Sequence, residues 1–392
     1  MLGIVVWGLT LGQALLVTGN ILLVSVTALV GEVISPSLRL ATLPVAMQFV
    51  GLMSATLPAA LLVKRLGRKR IFLIGNSIGL FGAALACYAL FLANFWLFSL
   101  ATFLLGVAIG IGQQYRFAAI ENCAPDKAPQ AISLIMAGGV LAAVLGPNLA
   151  VWSQKLMPSD LYIGAFACLF ALYCLTTLLV ALLPLKPASL EEQMGTARSY
   201  KTLLAQPTLI AAMTSGAIGY GVMVLVMTAT PLAMKSCGLE FTHTASVIQW
   251  HVLGMFAPAF VTGRLVSRFG ASKIIQTGCI LLLASVFLSQ FGQSYWHFWT
   301  ALVLLGIGWN FTFVAATGLL TTTYQPADKA KVQGLNDFLV FSSSALASIL
   351  AGYLQSLLGW SLLNIVMIPA ILIAMLTVFI SVNQSRRQTV AA

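Results

Sequence analysis

Charge is scarce in this chain of 392 residues: 7% of its side chains are charged, and only 9 are acidic. A soluble domain carries roughly a quarter charged residues. With 60% hydrophobic residues and a mean hydropathy of +0.98, no soluble fold would hide the apolar surface. There is no Gly-x-x-x-x-Gly-Lys-Ser/Thr loop, and no polar segment is long enough for a nucleotide-binding domain, which excludes work driven directly by ATP. His-Glu-x-x-His, paired intramembrane carboxylates and Gly-x-Ser-x-Gly are also missing, so no enzyme is expected. The six cysteines have neither metal-ligand nor redox spacing, and no metal, cofactor or disulfide framework is implied. The net charge of +11 does not point to nucleic acid, because the basic residues punctuate apolar runs instead of forming a stripe.

What remains is a succession of apolar runs. A spanning helix needs about 20 residues, and twelve spans are expected at 3–30, 40–63, 71–92, 97–120, 131–152, 163–184, 207–233, 244–266, 274–293, 298–322, 332–354 and 361–382. The amino-terminal run reads as a retained first span, because no basic stretch or cleavage pattern precedes Glu32. The longest polar interruption, 185–206, divides a half at 1–184 from a half at 207–392. Basic residues accumulate on the cytoplasmic side. One side receives 17 of the 20, leaving Arg39, Lys155 and Lys235 on the other. Both termini and the 185–206 linker are therefore expected in the cytoplasm. Trp96, Trp152, Trp296, Trp299 and Trp360 fall at the opposite, outer edges, where amphipathic rings settle.

An internal repeat organises the spans. Laying Gln48–Arg70 on His251–Lys273, an offset of 203, superposes Gly51 on Gly254, Arg65 on Arg268 and Gly67 on Gly270. Leu105-Gly106 is echoed by Leu305-Gly306 at an offset of 200. Two six-span halves in parallel orientation follow.

These residues resemble the major facilitator superfamily. The turn from Ala60 through Lys64, Arg65, Gly67, Arg68 and Arg70 is similar to that family's Gly-x-x-x-Asp-Arg-x-Gly-Arg-Arg signature, with Lys64 in place of the Asp. Gly263–Lys273 resembles its second copy, and Gly146-Pro147 a degenerate antiporter motif. The resemblance implies an all-α integral membrane fold of twelve helices in two pseudo-symmetric halves. It also implies gradient-driven movement of a small organic solute across the cytoplasmic membrane, coupled to protons, by a monomer in the bilayer.

Several polar side chains in spans invite a role, because an intramembrane charge costs about 2.5–3.5 kcal/mol. Arg116, following Gln113, either lines a central cavity or snorkels to the interface and pairs with Glu121. Asp337 is a protonation site or a gating partner of Lys64 or Arg65 in the basic turn. His251 is a proton shuttle or a hydrogen-bonded packing residue. Gln13, Asn20, Tyr220, Trp309 and Asn310 lie on the helices expected to line the cavity, as a solute site or as interhelical glue. Gly67, Arg68, Arg268 and Gly270 are assigned to the gating turns. With Asp337 placed at the turn, Arg116 is left as the cavity's cation, and an anionic solute is expected. The competing readings are a facilitative uniporter and a transport-inactive sensor that keeps the fold.

Overall fold

The computed structural model describes residues 3–123, 128–185 and 198–391; within them the side chains of Lys64, Glu121 and residues 385–391, among a few others, lie outside the description. Every regular element among the described residues is helical. The first half contains α1 (Ile4–Ile34), α2 (Leu43–Leu66), α3 (Arg68–Phe91), α4 (Phe95–Gly112), α5 (Tyr115–Glu121), α6 (Ala128–Leu156) and α7 (Ile163–Leu182). After a short α8 (Tyr200–Leu204), the second contains α9 (Pro207–Ser236), α10 (Phe241–Phe256), α11 (Ala259–Phe269), α12 (Ala271–Leu288), α13 (Tyr295–Thr321), α14 (Lys329–Ile365) and α15 (Ile368–Ala391). Among the described residues, ten apolar segments are long enough to cross a membrane. The last, Lys331–Gln384, folds back at Gly359, whose φ of 69° breaks the helix, and so holds two crossings. With α6 the arrangement has twelve transmembrane helices. Most of the expected linker, residues 186–197, lies outside the described residues.

Three of the expected spans are interrupted in the structure. The fourth is not one helix but α4 and α5, interrupted at Gln113 and Gln114, the eighth is α10 and α11, interrupted at Ala257 and Pro258, and the twelfth is broken at Val366 and Met367, between the end of α14 and α15. Pro258 has no N–H to continue the ladder, which accounts for the second break. Apolar length alone does not reveal such breaks, because a kinked helix is as hydrophobic as a straight one.

Each half has its own apolar core, with Phe72, Phe98, Tyr115 and Phe166 at the centre of the first and Leu302, Leu305, Ala315 and Leu363 in the second. The outward faces are also apolar: Phe91 is 80% and Leu182 74% exposed, which is stable only against lipid. The repeat is visible in the backbone. A Cβ on Gly106 would strike the main chain at Gln48, and one on Gly306 would strike it at His251, the residue aligned with Gln48. These glycines let α4 close on α2 and α13 on α10. The basic turns repeat too: Gly67 (φ 80°, ψ 156°) and Gly270 (φ 87°, ψ 146°) share a conformation essentially reserved for glycine.

Candidate solute-binding site

The break after α4 sets the position of Arg116. Main-chain bonds from Gln113 N to Ile109 O and Gln114 N to Ile111 O, both 3.1 Å, end the helix. Tyr115 then turns inward, its ring 4.3 Å from that of Phe72 and its hydroxyl donating to Asn76 Oδ1 at 3.3 Å. With Tyr115 anchored in the first-half core, the next side chain points the other way. Arg116 is exposed at the start of α5.

Opposite stands a cluster of rings from the second half. Trp309 and Phe313 of α13 are stacked at 5.1 Å with planes 12° apart. Tyr220 of α9 meets them edge-on at 5.4 and 5.2 Å and reaches Phe341 of α14 at 6.2 Å. Edge-to-face and offset contacts of this kind fix ring orientation as well as burying area. Trp309 Nε1 is buried without an acceptor among the described residues. Phe313 and Phe341 escaped the sequence reading, although a helical signal was there: each lies one turn beyond a residue already singled out, Trp309 and Asp337.

The electrostatics add a neighbour to Asp337. Among the described side chains, the charge acting on Asp337 is that of Arg116, and Tyr220 lies within the field of both. Asp337 also accepts from Asn336 Nδ2 at 3.3 Å. The acid was expected at the basic turn because it stands near the start of its span. Among the described residues its charged neighbour is Arg116 of the other half. Arg116 is therefore not an uncompensated cation. Lys64 and Glu121, the other partners considered, have side chains outside the described residues, while Arg65 is exposed.

Other expected solute ligands are used inside the protein. Asn310 donates to Met255 O and accepts from Thr262 Oγ1, both at 2.6 Å, and is buried; it is a clip between α13 and the broken eighth span. Asn20 accepts from Gln48 Nε2 at 2.6 Å, joining α1 to α2. His251 is fully buried between α10 and α13, with Nδ1 2.8 Å from Leu302 O and Nε2 without a partner among the described residues. In a medium without water such amide and ring N–H groups hold helices together. Gln13 and Gln113 remain half-buried. Arg68 is buried at the start of α3, and Arg268 lies over the Phe269 ring at 5.3 Å. Surface grooves lined by Leu73, Ile74 and Phe81, and by Ile4, Trp7 and Leu182, are apolar faces turned outward and hold no polar constellation.

Comparison with known proteins agrees with this architecture. The chain is 37% identical over 365 residues to the riboflavin transporter RfnT of Brucella anthropi, covering 93% of this chain and 92% of that one. It is 29% identical over 374 residues to the uncharacterized MFS-type transporter YdeG of Bacillus subtilis, covering 89% and 86%. Its fold matches the crystal structure of the major facilitator FucP in the outward conformation, with a TM-score of 0.64 at 15% identity over 96% of this chain and 98% of that one. The Major Facilitator Superfamily model matches residues 9–257 and 217–392. This twelve-helix chain, with its repeated halves, belongs to the major facilitator superfamily and is a membrane transporter.

Proposed function

We propose that the chain carries riboflavin, or a solute of the same shape, across the cytoplasmic membrane by alternating access between its halves. The ring cluster of Tyr220, Trp309, Phe313 and Phe341 beside Arg116 and Asp337 carries this reading. Riboflavin is a flat, neutral tricycle with an imide edge and a hydroxylated chain. A heteroaromatic ring gains about 1–3 kcal/mol from stacking on an aromatic side chain. The imide edge offers acceptors to a guanidinium and a donor to a carboxylate. Arg116 and Asp337 together carry no net charge, which suits an uncharged solute better than the anion that Arg116 alone would favour. The likeness to the Brucella anthropi riboflavin transporter supports the same substrate class.

Coupling to protons is assigned to Asp337, a carboxyl near the cation of Arg116. In this reading the two halves at 1–184 and 207–392 move as bodies of a monomer, and the 17 to 3 distribution of basic residues supports a cytoplasmic side for both termini and the linker. Counterflow of labelled riboflavin into liposomes holding the purified protein tests the substrate. Saturable counterflow, competed by lumichrome and not by ribitol, is expected. Folded protein that exchanges no riboflavin would overturn the assignment. An imposed pH gradient should drive accumulation that Asp337→Asn abolishes; equal accumulation with and without the gradient would make the protein a uniporter.

A further inference from the structure

The two halves meet in several places at the membrane side remote from both termini. Lys235 Nζ lies 2.8 Å from Glu32 Oε2, joining the end of α9 to the end of α1. Below this pair Leu232 of α9 packs with Ala28 and Leu29 of α1, an apolar layer. The ring of Tyr162, just before α7, meets that of Phe241 at the start of α10, 4.9 Å away. Between α2 and α14, Gly352 N donates to Thr42 Oγ1 at 3.0 Å. At the other side of the membrane Arg116 is in contact with solvent. The structure is thus closed at the side that Glu32 and Lys235 occupy.

The ion pair has three properties beyond its length. Its positions differ by 203, the offset of the internal repeat, so it joins equivalent points of the two halves across their pseudo-twofold relation. Identical residues at such a meeting point would repel or fail to pair; the halves have diverged here to opposite charges. Second, both residues lie in the last turn of their helices. A cation is favoured at that negative end and a carboxylate is not, so Glu32 depends on Lys235 to be tolerated there. Third, the pair is not entombed, its side chains being 28% and 52% exposed for Glu32 and Lys235. A pair open to water is weak and screened by salt, and so is readily broken and remade.

We propose that Glu32 and Lys235 form a releasable latch, which holds the halves closed on this side and must part each time the side opens to solute. The latch does not depend on which solute is carried. Its test reads opening directly. In a cysteine-free background, Leu232→Cys places a thiol within the sealed layer, and its reaction with an impermeant maleimide is timed from each side of the membrane in turn. Lys235→Glu should speed labelling from the latch side about fivefold, the scale of losing one exposed pair and gaining a like-charge contact. Exchanging the charges, Glu32→Lys with Lys235→Glu, should return the rate to within about twofold of the parent. Size-exclusion elution confirms folding; if Lys235→Glu does not fold, Glu32→Gln with Lys235→Gln takes its place and should abolish the acceleration by salt that the parent shows. A rate unchanged by the reversal, raised as much by the exchange as by the reversal, or equally salt-sensitive without the charges would overturn the latch.

Discussion

The two halves share a backbone and differ in the side chains they turn inward. At the repeat offset of 200 between the fourth and tenth spans, Ile109 corresponds to Trp309, Gln113 to Phe313 and Arg116 to Ala316. In the first half those positions give a broken helix, amides and a cation. In the second they give a continuous helix and a stack of rings. Between α2 and α10 the pair Gln48 and His251 shows the same divergence: one side chain bonds to Asn20, the other to a main-chain carbonyl, while both main chains receive a glycine from the neighbouring helix. Glycine contacts are shared because helix spacing tolerates no Cβ there. The inward positions differ although Ile109 and Trp309 are each buried in the core of their half. The first half thus supplies the cation of the site, and the second supplies the rings and the carboxylate of Asp337.

The sharpest way to break this division is to remove the charge. Arg116→Ala should nearly abolish saturable riboflavin uptake by correctly folded protein, whereas Arg116→Lys should retain part of it with weakened affinity, because an ammonium lacks the planar fork. Wild-type affinity in the alanine variant would mean that the first half contributes nothing to recognition. Next is the ring surface: Trp309→Ala should weaken riboflavin binding about 10- to 100-fold, while Ile109→Ala at the equivalent position should change it less than about threefold. Quenching of flavin fluorescence on titration measures both. Equal losses at the two positions would erase the asymmetry.

The shared scaffold predicts equality where the site predicts difference. Gly106→Ala and Gly306→Ala should each destabilise the protein by about 1–3 kcal/mol, since a methyl group would be forced into the neighbouring main chain. Thermal unfolding in detergent compares them, and a large loss from one with none from the other would show that the halves are not packed alike.

The smallest effect concerns the junction of the halves. Arg198 meets Asp328 with Nε to Oδ2 and main-chain N to Oδ1, both at 2.7 Å, and Lys331 Nζ donates to Arg198 O at 3.1 Å, tying the start of the second half to the loop after α13. Burial by itself would raise the Asp328 acid, but the bonds from Arg198 outweigh it and hold the carboxyl below its ordinary range. A depressed folded-state value means that the contribution to stability is complete above the unfolded value, near 3.9, and is lost as pH falls through the lower folded one. Between pH 7 and 5 this clip should be indifferent to acid, and Asp328→Asn should lower the melting temperature slightly at both. A difference between wild type and variant that shrinks already at pH 5 would contradict the depressed carboxyl.

Much was legible in sequence because it rests on composition and repetition. Lipid accepts only helices whose polar main chain is satisfied internally, so runs of apolar residues with few charges lead to twelve spans without knowledge of any contact. Gly67 and Gly270 announced the basic turns because their backbone conformation excludes other residues. Arg116, Tyr220 and Trp309 were legible as candidates because each is costly or distinctive within a span.

Partnership was decided only by the tertiary structure. Asp337 stands near the start of its span and reads as a neighbour of the basic turn, and only the tertiary structure brings it within the field of Arg116. Asn310 and Asn20 look like solute ligands until the helices beside them are placed, when both prove to be bonded across helix contacts. Glu32 and Lys235 lie 203 residues apart in the chain and meet only because two repeated halves face each other. The sequence by itself determined which segments enter the membrane, because that depends on each segment's own transfer free energy. Which polar groups serve the solute and which serve the fold was decided by the crossing and rotation of helices, since a hydrogen bond or an ion pair exists only where two surfaces meet.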